Sequence, residues 1–160
     1  MSRPVVLDNT VLSNFASVRR ADLVLRLWGE AACTTPAALT EYEAGVSGGL
    51  LPKGAWAGLS TLALTEEETG FAASLSSRLG AGERTCISAA LNRQGLLVSD
   101  DLDARKVARQ FGVSTTGTIG ILVLCVQHDF LSRDEANALL MDLIAAGYRA
   151  PIDNVDSLFD

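Results

Sequence analysis

Five carboxylates occupy positions where chemistry can gather. Asp8 directly follows the apolar run Val5-Val6-Leu7, and Asp100-Asp101 follow Leu96-Leu97-Val98 after a single serine. Ligands of open parallel sheets collect outside the carboxyl ends of strands, so two strands that end in acids bring those acids to one rim. Glu41 on a short helix after Pro36, and Glu83 at the opening of another helix, complete the set. Converging carboxylates repel one another and raise each other's pKa. A hard divalent cation relieves that repulsion, and oxygen-only ligation suits Mg²⁺ or Mn²⁺ rather than zinc. Each acid also has a plain alternative. Asp8 and Asp100 or Asp101 can cap the next helix. Glu41 can sit on a solvated face, and Glu83 can be a first-turn acid favoured by the helix dipole.

The elements that must hold these acids are legible as short strands alternating with helices. Residues 3–7, 33–35, 61–64, 96–98 and 113–115 read as strands. Helical spacing of apolar residues covers 11–16 and 21–28. Pro36 at a first helical position, with Thr35 as cap, opens a helix that Gly45 can end. Thr65-x-x-Glu68 and Ser132-x-x-Glu135 are capping boxes, opening helices expected to reach Leu79 and Ala146. Further helices are expected over 83–93, 103–111 and 117–126, and the glycine-rich stretch 48–58 is a loop anchored by Trp56. The alternation predicts an α/β fold with a central, mainly parallel β-sheet flanked by α-helices. One domain over 1–150 with an acidic tail over 151–160 fits the length.

Composition narrows the function classes. With 13 Lys+Arg against 19 Asp+Glu the net charge is −6, which argues against a basic nucleic-acid coat protein but not against a metal-using nucleic-acid enzyme. Cys33, Cys86 and Cys125 have neither zinc nor disulfide spacing and read as core residues, and a single histidine, His128, disfavours histidine-based triads. The apolar run at the start is stopped at once by Asp8 and the longest apolar stretch is far short of a membrane span, so a soluble cytoplasmic protein is expected.

Taken in order, several stretches resemble the PIN-domain nucleases, in particular the VapC-like toxin branch. They are Val6-Leu7-Asp8-Asn9-Thr10-Val11-Leu12, Thr35-Pro36-Ala37-Ala38-Leu39-Thr40-Glu41 and Gly82-Glu83-Arg84-Thr85-Cys86-Ile87-Ser88-Ala89-Ala90. Leu97-Val98-Ser99-Asp100-Asp101 with Ala104-Arg105, and Thr116-Gly117-Thr118-Ile119-Gly120-Ile121-Leu122, follow. The resemblance implies a PIN-like fold and metal-assisted hydrolysis of RNA, with Mg²⁺ or Mn²⁺ as cofactor. It makes Asp8 and Glu41 the first two catalytic acids, and Glu83 stands where many relatives carry an aspartate. Asp100 or Asp101 is the last acid, and metal ligation is expected from Asp8, Glu83 and that pair. Thr10 and Thr118 are implied to lie near the substrate.

For phosphate contact, Arg105, Lys106, Arg109 and Arg84 are the basic candidates, with an Arg105–Asp101 ion pair as the alternative for Arg105. The resemblance further implies the toxin of a type II toxin–antitoxin pair, a protein antitoxin as partner, and a homodimer. Two other functions remain open. One is a PIN-like RNA- or protein-binding module without catalysis. The other is an aspartyl-phosphate phosphatase using Asp8, which has Thr10 where such enzymes usually carry a second aspartate.

Overall fold

In the computed structural model, which describes residues 3–159, five short strands build one all-parallel sheet. The chain runs β1 (Val5–Leu7), α1 (Asn9–Ser17), α2 (Ala21–Trp28), β2 (Ala32–Thr34), α3 (Pro36–Ser47), β3 (Ser60–Thr61) and α4 (Glu66–Ser74). It continues through α5 (Ala81–Asn92), β4 (Leu96–Val98), α6 (Leu102–Gln110), β5 (Ser114–Thr116), α7 (Thr118–Gln127) and α8 (Arg133–Ala145). The strand order is β3-β2-β1-β4-β5. Val5 to Leu7 pair with Leu96 to Val98, so β1 and β4 lie in register at the centre. The chain winds outward from β1 through β2 and β3, then crosses back to β4 on the other side. The order therefore reverses between β1 and β4, where open α/β sheets place their ligands.

Period-2 alternation splits the apolar residues between the two faces of the sheet. Val5, Leu7, Ala32 and Val98 pack toward α1, α2, α7 and α8, with Phe15, Leu12, Leu122 and Leu140 fully buried. Val6, Cys33 and Leu97 face the opposite way, onto Ile87, Ala90 and Ala104 of α5 and α6. Residues 151–159 return over α8: Val155 is fully buried, and its backbone N–H donates to Asn137 Oδ1 at 2.8 Å. Among the described residues no helix is long and apolar enough to cross a membrane.

Several boundaries differ from the sequence expectation, each for a local reason. Helix α4 stops at Ser74 rather than Leu79: Leu75 is extended, and the Ser76 hydroxyl accepts from Arg78 N at 3.2 Å, which favours a turn. Helix α3 runs through Gly45 to Ser47. A Cβ on Gly45 would lie 2.8 Å from Leu51 Cδ1, so that glycine admits the following loop instead of ending the helix. Strand β3 is only Ser60–Thr61. Both capping boxes form. The loop anchor also forms, with Trp56 Nε1 donating to Leu12 O at 2.8 Å.

Glu68 does more than cap. Its carboxylate is buried and pairs with Arg93 Nε at 2.8 Å, tying α4 to the end of α5. The Arg93 guanidinium is the main reason its pKa lies below the usual carboxylate range. Breaking such a pair leaves an uncompensated buried charge. Arg93→Ala is expected to lower unfolding stability by about 3 kcal/mol in urea titrations at pH 7, and Glu68→Gln in the same chain should recover part of that loss.

Candidate active site

Asp8 is the N-cap of α1, and only 1 % of its surface is exposed. Oδ1 accepts from Thr10 N at 2.9 Å and from the Thr10 hydroxyl, while Oδ2 accepts from the Ser99 hydroxyl. Burial pushes its carboxyl up to about 7; the bonds from Ser99, Thr10 and Val11 oppose this, and the charge of Asp100 adds to it. The capping expected as the plain alternative is real here. It does not exhaust the residue, because a solvated cap would not be held in so dry a place.

Asp100 and Asp101, indistinguishable in sequence, are separated by structure. Asp100 is enclosed by donors: Asn14 Nδ2 at 2.8 Å, Thr118 N at 2.8 Å and the Thr118 hydroxyl. Its own N–H donates to Thr10 Oγ1 at 2.9 Å, so Thr10 links the acids that end β1 and β4. Asp101 is the N-cap of α6, accepting from Ala104 N on Oδ1 at 2.8 Å. Its negative charge acts on Glu83, whereas that of Asp100 acts on Asp8.

Glu41 and Glu83 meet across the start of α5. Glu41 Oε1 accepts from Gly82 N at 3.0 Å. A Cβ on Gly80 would lie 2.5 Å from Glu83 Oε2 and 3.4 Å from Glu41 Oε1, so both carboxylates crowd the same glycine. Burial, with the charges of Glu41 and Asp101, raises the Glu83 pKa. Glu83 Oε2 is buried without a hydrogen-bond partner.

The five acids expected from sequence thus share one edge of the sheet, at the carboxyl ends of β1 and β4 and the opening of α5. Thr10 and Thr118 join them. Sequence reading missed Ser99 and Asn14, the donors to Asp8 and Asp100. Asn14 had no distinguishing signal, since Asn9, Thr10, Ser13 and Ser17 are polar residues of the same helix. Gly82 and Gly117 were missed as well; a Cβ on Gly117 would fall 2.5 Å from Asp100 Oδ1.

Of the basic candidates only Arg105 opens beside the rim, in a groove that also contains Tyr148 and Arg149. It forms no ion pair with Asp101. Lys106 faces a separate hollow with Arg78, Arg109 Nε donates to Thr115 Oγ1 at 3.3 Å, and Arg84 Nε is buried without a partner. The three cysteines are free and buried.

The donor set suits a hard cation in kind. Every candidate ligand is an oxygen, like charges are crowded together, and one buried Glu83 oxygen has no partner. Among the described residues, however, no three acidic, histidine or cysteine side chains are gathered tightly enough to hold a metal. Asp8, Glu41, Asp100 and Asp101 each turn an oxygen toward an internal donor.

No curated protein matches the chain. A family model described as a PIN domain matches residues 4–159. That match spans the five-stranded parallel sheet and every acid of the rim, and the chain belongs to the PIN-domain family.

Proposed function

We propose that the chain is a Mg²⁺- or Mn²⁺-dependent endoribonuclease whose site is the carboxylate rim. PIN domains are generally nucleases, which fits this reading. The observation that carries it is the approach of two acid pairs to the strand-order reversal, Asp8 and Asp100 linked by Thr10 and Glu41 and Glu83 beside Gly80, with an orphaned oxygen on Glu83. Asp8, Glu83 and Asp101 are the ligands we assign. Asp101 has one oxygen outside its capping bond and is coupled to Glu83, while Asp100 is already enclosed by donors. Asp100 then positions Thr10 beside the substrate through its N–H. Thr118, fully buried, donates to the Asp100 carboxylate from within the fold rather than reaching the substrate. Glu41, held by Gly82 N, is the acid left to orient water.

A divalent cation bound here supplies charge neutralisation on the scissile phosphate and a more acidic water. The protein's own part is orientation. Thr10 fixes the spacing between Asp8 and Asp100, Ser99 holds Asp8 from behind, and the glycines of α5 let Glu41 and Glu83 approach. By resemblance to the VapC-like branch, we further read the chain as the toxin of a toxin–antitoxin pair. It would work in the cytoplasm as a homodimer, with a protein antitoxin covering the rim.

Water attack on a phosphodiester does not use the 2′-hydroxyl, so it forms no 2′,3′-cyclic phosphate and tolerates loss of that hydroxyl. With the 3′-oxygen as leaving group, the assignment we make, it releases a 3′-hydroxyl and leaves a 5′-phosphate. End-group analysis of a cleaved RNA should find 5′-phosphates; 2′,3′-cyclic phosphates would contradict the reading. In calorimetric Mn²⁺ titrations Asp101→Asn should weaken affinity at least as much as losing a supporting partner does, about 10–100-fold, and Asp100→Asn should cost less. The reverse order would move the ligand role to Asp100.

A further inference from the structure

A hollow of about 230 Å³ lies between the turn after α4 and the outer side of α6, and none of the rim acids lines it. Asp103, Lys106, Val107 and Gln110 face it from α6, at the three- and four-residue spacing of one helix face. Arg78 and Leu79 face it from the turn. Both walls are fixed by the fold. Ser76 Oγ accepts from Arg78 N at 3.2 Å, and Leu79 N donates to Ser76 O at 3.1 Å, which closes the turn. Leu75 and Leu79 are buried in the same core as Ala104 and Ala108 of α6. Phe71 of α4 and Phe111 after α6 meet edge to face, with ring centroids 5.2 Å apart. The hollow is therefore formed before any ligand arrives, the usual state of small-molecule sites.

Its charges lack protein partners. Arg78 and Lys106 make no ion pair among the described residues, and neither does Asp103. Asp103 has an ordinary role as a first-turn acid of α6, where the helix dipole favours it. That leaves one surplus positive charge on a single hollow, in a chain of net charge −6. A dianion between the two cations removes their mutual repulsion. A guanidinium grips two phosphate oxygens as a fork, and an ammonium adds a point charge. The Ser76 hydroxyl and the Gln110 amide are further donors on the same hollow. Leu79 and Val107 give it an apolar floor, which inorganic phosphate leaves unused. The volume of about 230 Å³ is below the roughly 300–1,000 Å³ of most ligand pockets, so the organic part that fits is small. We propose that the hollow binds a small phosphate monoester, with its phosphate between Arg78 and Lys106 and its organic part on Leu79 and Val107. The site is separate from the rim and does not depend on the nuclease reading.

The test is titration of the full chain with phenyl phosphate, followed by amide shifts in NMR spectra, in a zwitterionic buffer with EDTA so that no metal carries the phosphate to the rim. Saturable shifts should gather on residues 76–79 and on α6. Arg78→Gln and Lys106→Gln should each weaken affinity about tenfold, the scale of one charge-assisted hydrogen bond. Lys106→Arg should keep most of it. Asp103→Asn removes the opposing charge and should tighten binding about two- to fivefold, the worth of one exposed charge pair. Arg105→Gln, beside the rim, should leave binding of phenyl phosphate unaltered. Arg78, Lys106 and Asp103 are exposed, so these variants keep the fold, which circular dichroism verifies. Inorganic phosphate should compete for the same site with lower affinity. Absence of saturable binding by the wild type overturns the proposal. So does affinity that survives both Arg78→Gln and Lys106→Gln, or that is lost in Arg105→Gln instead. Equal affinity for phenyl phosphate and inorganic phosphate overturns the assignment to a monoester.

Discussion

Asp8→Asn is expected to lose RNA cleavage by about 10²–10³-fold, the scale seen when one group stabilising transition-state charge is removed. The same protein should be more stable than the wild type at pH 7.5 without divalent cations. Both effects come from burial. The Asp8 carboxyl is raised from 3.8 to about 7, so its charged form is disfavoured in the folded chain. Between those values the folded state holds a proton that the unfolded state has released, and stability falls as pH rises from about 4 to about 7. The raised Glu83 pKa acts in the same direction. Glu68 opposes them: its lowered pKa adds stability above the ordinary carboxylate range, and that is lost in acid. The metal-free wild type should therefore unfold at a higher urea concentration at pH 5.5 than at pH 7.5. For Asp8 the whole shift is worth at most about 4 kcal/mol at 1.36 kcal/mol per pKa unit, of which about 2 kcal/mol falls between pH 5.5 and 7.5. In Asp8→Asn part of this gain is offset because the amide nitrogen that replaces Oδ2 cannot accept from the Ser99 hydroxyl, a loss of about 1–3 kcal/mol. A net gain of about 1–3 kcal/mol at pH 7.5 is expected, with a flatter pH dependence. Mn²⁺ should stabilise the wild type by mass action and leave Asp8→Asn nearly unmoved.

Gly82→Ala should show the opposite division between site and fold. Gly82 lies in the first turn of α5 without positive φ, so its value is not conformational freedom. By helix preference alone, alanine there would stabilise by about 0.5–1 kcal/mol. The added Cβ would fall 2.5 Å from Glu41 Oε2 and 2.9 Å from Glu41 Cδ. The carboxylate must leave its place over the α5 N-terminus, and a displacement of about 1 Å in a positioning group costs on the order of 10²-fold in rate. Steady-state cleavage assays should find that loss, with the urea midpoint changed little. Gly70→Ala is the control. Its Cβ meets nothing within 4 Å on α4, so it should stabilise the chain by about 0.5–1 kcal/mol and leave cleavage unaltered.

These two residues mark what the sequence can and cannot convey. Asp8 was readable because an acid ending a fully apolar strand is a local signal, and Asp100 and Asp101 repeat it. The capping boxes at Thr65 and Ser132, and Pro36 at the start of α3, were readable for the same reason. Gly82 was not, because its role lies in a contact with Glu41, forty-one residues away along the chain. Ser99 and Asn14 look like ordinary small polar residues until the sheet brings them to Asp8 and Asp100. The choice between Asp100 and Asp101 depends on which helix start each one faces, and spacing of one residue cannot decide that. Arg105 was readable as a basic residue near the last acid. Its companions Tyr148 and Arg149 come from beyond α8, and only tertiary packing brings them into one groove. Leu75 and Leu79 continue the apolar spacing of α4, so periodicity alone extends that helix past the turn set by Ser76.

The most direct test of the metal-dependent nuclease is RNA cleavage by wild type and Asp8→Asn purified in parallel, each assayed with Mg²⁺, with Mn²⁺ and with EDTA. Cleavage by the wild type with either cation, abolished by EDTA, restored by added metal and lost in Asp8→Asn, is the predicted result. Equal cleavage by both proteins, or cleavage that persists in EDTA, would contradict a metal-dependent site built on Asp8.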